Sequence, residues 1–319
     1  MSHASRPRLR GLCLIATLFA LLVAAPMAQA NTSPIFKTPK KNGVYLAMGD
    51  SLAFGYQQAK VLAGLPNPDP ATFNTGYVDV FGAAITATYP TVTTTNLGCP
   101  GETSDTLLNA TNATTGCTTY PFGIHENHPN QTQMRAALKV LRQNEDKVVP
   151  VTIGIGANDV LGLVRNTCTT AGVIDLGCVQ ANAPATFLTI QSNLDKALRK
   201  IRDEAERTEI LVVGLYNPLY PAIFQQVLTQ TGNPATAAAA AAGTDQLAAQ
   251  LNSLMATTAA KHRAYFVDPL PLFNPQGDPN VELGTICTLT AVCGPLQDIH
   301  PTDAGYAALG NLVKQVSGY

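Results

Sequence analysis

Five short strand-like runs, apolar at 44–49, 148–155, 210–215 and 264–267 and β-branched at 91–97, punctuate this chain and leave few folds open to it. Each ends against glycine, asparagine, aspartate or proline, as in Gly49-Asp50, Gly98-Cys99-Pro100-Gly101, Gly156-Ala157-Asn158, Asn217-Pro218 and Asp268-Pro269. Runs that are apolar almost throughout suit strands buried on both faces, the pattern of a parallel sheet covered by helices. Helical periodicity fills the intervals: 76–88 with Val78, Phe81, Ala84 and Ile85, then 131–142 with Met134, Ala137, Leu138 and Leu141, then 187–207 with Ile190, Leu194, Ala197, Leu198 and Ile201. Alanine-rich 235–260 and the closing 303–316 complete the set, alanine being the strongest helix former. The predicted fold class is α/β, three layers α/β/α around a five-stranded parallel sheet. Right-handed crossovers place the carboxyl end of every strand on one edge. The stretches 161–184 and 268–294, rich in Pro, Gly or Cys, read as loops.

The first 30 residues stand apart. Arg6, Arg8 and Arg10 precede an apolar stretch to Pro26, and Ala28-Gln29-Ala30 forms an A-x-A exit. That is the pattern of a secretory signal peptide, and it predicts a protein secreted after cleavage near Ala30, with no permanent membrane anchor. Cys13 lies too early for a lipoprotein anchor. Residues 31–319 are expected to form one domain, since neither a repeat nor a linker-like composition divides them. Losing three arginines leaves 17 basic against 21 acidic residues, a net −4. Nucleic-acid binding would want a strong basic patch, so no nucleic-acid partner is expected, and a monomer is.

Six cysteines remain: Cys99, Cys117, Cys168, Cys178, Cys287 and Cys293. An even count in an exported chain points to disulfides, and proximity pairs them 99–117, 168–178 and 287–293. Zinc is the competing reading, but no C-x-x-C or paired-His spacing supports it. His125 and His128 read as surface loop residues. No metal or cofactor is expected.

The chemistry concentrates at strand ends. Ser51 follows the first run directly and is a nucleophile once a base takes its proton and donors hold the resulting oxyanion. Gly101 in a tight turn has an N–H to offer, with Gly98 as the other donor open in that turn. Asn158 brings an uncharged amide with two donors. His300, just before the last helix, is the candidate base, with Asp298 two residues earlier. Asp50 and Asp159 read as braces for their loops.

Four blocks in this order, Gly49-Asp50-Ser51-Leu52, the 96–103 turn, Gly156-Ala157-Asn158-Asp159 and His300-Pro301, resemble the GDSL or SGNH hydrolase superfamily across nearly all of residues 31–319. The resemblance implies a flavodoxin-like fold, with Ser51 attacking an ester carbonyl and His300 as general base. It implies an oxyanion hole of the Ser51 N–H, the Gly101 N–H and the Asn158 amide. The family usually places its acid in a D-x-x-H pattern, but here position 297 is Gln and the spacing is Asp298-Ile299-His300. Either Asp298 orients the ring, or a main-chain carbonyl such as that of Gln297 does.

The function expected is a secreted serine ester hydrolase, a lipase or esterase acting through an acyl-enzyme. Its substrate would be a small-molecule or lipid ester, with fatty acyl esters favoured. Leu52, Phe54, Leu161, Leu163, Val164 and Leu219 flank the site loops, as acyl-pocket lining or as core. A carbohydrate acetyl esterase is the alternative enzyme, and a non-catalytic secreted binding protein the alternative of another class.

Overall fold

A computed structural model describes residues 41–109, 123–126, 128 and 131–319. The expected signal peptide at 1–30 and Cys117, with its pairing to Cys99, lie outside the described residues. Strands β1 (Val44–Gly49), β2 (Thr93–Asn96) and β3 (Val148–Gly154) are followed by a short hairpin, β4 (Thr169–Thr170) with β5 (Val173–Ile174), and then by β6 (Ile210–Val213) and β7 (Tyr265–Val267). Five of them form one parallel sheet in the order β2-β1-β3-β6-β7. The chain leaves β1 toward one side for β2 and toward the other for β3. The crevice beyond β1 and β3 is therefore the topological switch point, where open α/β sheets bind ligands.

Alternation along each strand feeds two cores. Val44, Leu46 and Met48 face one layer with Val151, Ile153, Ile210 and Val212, under the helices Gln133–Gln143, Leu176–Glu204 and Pro234–Lys261. Tyr45, Ala47, Leu211 and Val213 face the other, under Tyr77–Thr88 and Asp303–Val316. Thr152, the polar interruption of β3, is fully buried, and its hydroxyl pairs with that of Tyr45 at 2.9 Å. Between Val44↔Val148 and Leu46↔Val151 the register slips by one, a bulge that accommodates Pro150 inside a central strand.

Three stretches differ from expectation. The long helix begins at Leu176, not at 187, and runs through exposed Pro184. Its start is set by Asp175, whose side chain accepts from the Cys178 N–H at 3.0 Å. Within 268–294 there is a helix, Pro279–Leu289, where a loop was predicted. Pro279 sits at its first position and Asp278 caps it, so proline here starts a helix instead of breaking one. His128 is buried rather than on the surface, only 3 % exposed, and His125 is half-buried with Nε2 bonded to the Phe54 carbonyl oxygen at 2.9 Å. Cys168–Cys178 and Cys287–Cys293 are bonded as expected.

Candidate active site

β1 delivers Ser51 to the sheet edge because the chain turns at once into the helix Ser51–Phe54, capped by the Asp50 carboxylate accepting from the Leu52 N–H at 2.9 Å. Gly49 makes the turn possible. Its φ is +140°, and a Cβ there would stand 2.2 Å from the Gly154 oxygen of β3. The Gln133 side chain clamps the same residue through both of its peptide groups, its Oε1 accepting from the Gly49 N–H at 2.6 Å and its Nε2 donating to the Gly49 oxygen at 2.9 Å.

Residues 249 apart in sequence meet at this edge: His300 Nε2 lies 2.8 Å from Ser51 Oγ. On the far side of the ring, Nδ1 lies 2.5 Å from Asp298 Oδ1. The second Asp298 oxygen accepts from the Gln58 N–H at 2.8 Å. Asp298, not a main-chain carbonyl, is thus the group against Nδ1, and the short spacing does not separate acid from base. The Tyr56 ring covers the imidazole with centroids 4.6 Å apart. An imidazole held this way can take a proton from a hydroxyl and keep one tautomer while doing so.

Gly101 has φ +83°, a left-handed conformation that favours glycine. Neither its N–H nor that of Ser51 has a hydrogen-bond partner among the described residues. The Gly98 N–H is engaged by Asn96 Oδ1 at 2.9 Å, which leaves Gly101 as the free donor of the turn. Asn158 donates one amide hydrogen to the Glu102 carbonyl oxygen at 2.9 Å. Asp159 accepts from the Ser104 N–H at 2.8 Å and from its hydroxyl at 2.7 Å, so the Gly101 turn and the short helix Ala157–Gly162 are tied together. Asp50 and Asp159 both act as braces here.

Ser51, Gly101, Asn158 and His300 open into one cavity of about 170 Å³ whose walls include Leu161, Leu163, Phe187, Leu219, Leu247 and Leu251. Leu52 lines it too. Phe54 and Val164 do not; they pack in the core, Phe54 against Phe73 and Val164 with Cys168 and Val179.

The sequence profile of the GDSL-like Lipase/Acylhydrolase family matches residues 47–308. The chain belongs to this family. Among solved structures, an extracellular lipase from Streptomyces rimosus is similar over 86 % of this chain and 100 % of its own, with 19 % identity and a TM-score of 0.51. A phospholipase A1 from Streptomyces albidoflavus NA297 covers 86 % and 99 %, at 19 % identity and TM-score 0.55. A lipase from a goat rumen metagenome covers 86 % and 97 %, at 16 % and 0.54. At such identities these likenesses speak for the fold. No curated protein sequence matches the chain.

Within this GDSL site the carboxyls divide by environment. Burial pushes Asp298 up, but the hydrogen bond and charge of His300 and the Gln58 N–H outweigh it and hold the carboxyl below its ordinary range. Burial, outweighing the cap bond from the Leu52 N–H, pushes Asp50 up to about 7, and burial does the same to Glu102. Burial likewise raises Asp159. No cluster of three or more His, Cys, Asp or Glu side chains suited to a metal occurs among the described residues. Sequence reasoning missed Gln133, Tyr56 and Tyr216. Gln133 and Tyr56 carry no local signal, being placed by packing. Tyr216, at the end of β6 on the loop edge, was within reach of the same strand-end argument that found Asn158.

Proposed function

We propose that this chain is a serine ester hydrolase acting on fatty acyl esters through an acyl-enzyme. The observation that carries it is the Ser51–His300–Asp298 relay opening into an apolar cavity beside two unpartnered N–H groups. Ser51 Oγ attacks the ester carbonyl while His300 Nε2 takes its proton. The oxyanion is met by the N–H groups of Ser51 and Gly101 and by the second amide hydrogen of Asn158, donors held in place before charge develops. His300 returns the proton to the departing alcohol, and water then reverses the sequence to release the fatty acid. Asp298 stabilises the imidazolium throughout.

The acyl half of the substrate is assigned to the cavity because its walls are largely aliphatic and aromatic, and burying a methylene there is favourable by ~0.8 kcal/mol. Secretion is supported by the pattern of residues 1–30 and by two disulfides, which persist in oxidising compartments. No helix among the described residues is long and apolar enough to cross a membrane.

The experiment is a hydrolysis series of p-nitrophenyl esters from acetyl to palmitoyl, with phosphonate labelling of Ser51. The reading expects kcat/KM to rise with chain length to a medium or long optimum. A maximum at acetyl would shift the assignment to an acetyl esterase, and a folded protein with no adduct at Ser51 would sink the catalytic reading.

A further inference from the structure

Only one residue, Ile299, separates the acid from the base, and its peptide is held from outside. The Tyr216 hydroxyl donates to the Ile299 main-chain oxygen at 2.6 Å. Tyr216 is buried, its ring stacked on Phe273 with centroids 4.4 Å apart and planes 16° from parallel. Burial, and next the nearby Asp298 charge, push its phenol well above the ordinary value, so it remains a neutral donor. Beyond Ile299 the chain is gripped again, the Ala291 N–H donating to the His300 oxygen at 3.0 Å beside the Cys287–Cys293 bridge. Before it, Gln297 enters the segment at φ +47°.

Asp298 Oδ1 also accepts from the His300 main-chain N–H at 3.2 Å, an Asx-type turn that brings the carboxylate round to the ring two residues on. The plane of the intervening peptide sets the angle between the two side chains, and Tyr216 is the hydrogen-bond partner of its carbonyl. We propose that Tyr216 is a positioning residue, its hydroxyl fixing the Ile299 carbonyl so that Asp298, His300 and Ser51 stay aligned across the short acid–base spacing. The kinetic consequence rests on the ester-hydrolase reading above; the geometric one does not.

Tyr216→Phe keeps the ring, the stack and the cavity wall and removes one oxygen. The expected result is kcat about 10-fold lower, the worth of one hydrogen bond, with KM within about twofold. In an Asp298→Asn background the same change should cost nothing further, because it acts through the contact already removed. A structural readout accompanies the kinetics: the low-field proton resonance of the His300 Nδ1–H···Asp298 bond should broaden or shift in Tyr216→Phe. An unchanged kcat, a loss that simply multiplies in the Asp298→Asn background, or an unshifted resonance overturns the proposal. If the wild-type protein cleaves no ester but its resonance depends on Tyr216, the ester reading falls and the positioning role stands.

Discussion

At the level of single residues, the relay makes sharp demands. Ser51→Ala and His300→Ala should each lower kcat on a p-nitrophenyl ester by about 10⁴-fold or more, since nucleophile and base act as a unit. Asp298→Ala should be severe but milder, about 10²- to 10⁴-fold, leaving slow phosphonate labelling of Ser51 measurable by mass spectrometry. A fully active Asp298→Ala protein would return the orienting role to a main-chain carbonyl. Asn158→Ala should cost about 10²- to 10³-fold in kcat with little change in KM, the signature of a donor used in the transition state. It should also loosen the Gly101 turn, because Asn158 holds the Glu102 carbonyl.

At the level of elements, β1 and the turn after it depend on a glycine that cannot be replaced cheaply. Gly49→Ala puts a methyl into the Gly154 carbonyl and strains φ, so a strongly lowered Tm or insoluble protein is expected, checked by thermal melting. The Cys168–Cys178 bridge closes a loop between the turn carrying Leu163 and the start of the helix Leu176–Glu204, both of which wall the cavity. Replacing both cysteines by serine should remove about 3 kcal/mol by the loop-entropy argument and lower Tm by about 5–10 °C. Strand positions were legible in the sequence because four of the five runs are almost wholly apolar and the fifth, edge strand β2, is β-branched; Thr152, polar inside a central strand, is answered by the Tyr45 hydroxyl. Helix Pro279–Leu289 was not legible, since its two strongest signals, Asp278 and Pro279, serve equally well in a turn. The site was legible at Ser51, Gly101, Asn158 and His300 because each sits beside a strand end or the last helix. It was illegible at Gln133, whose role needs a contact across 84 residues.

For the molecule as a whole, opposing carboxyls set the response to pH. Asp50 and Glu102 ionise near 7 in the fold, against ordinary values of 3.8 and 4.5. Between those limits the folded chain keeps protons that the unfolded chain releases. Their contribution is complete below about pH 4 and is lost as pH rises through 7. Asp298 works in the other direction, its contribution present above the ordinary carboxylate range and lost as pH falls through its lowered value. Melting scans should therefore show Tm falling by several degrees from pH 5 to pH 8, and Glu102→Gln should flatten that slope. A slope unchanged in Glu102→Gln would assign the loss to other groups.

The meeting of Ser51 with His300 has a bearing on biosynthesis. A polypeptide interrupted between Ser51 and His300 carries the candidate nucleophile but not the candidate base, and β1 lies mid-sheet, awaiting β3 to supply the Gly154 carbonyl against which it turns. On the proposed reading, hydrolysis would therefore be withheld from any product that ends between Ser51 and His300.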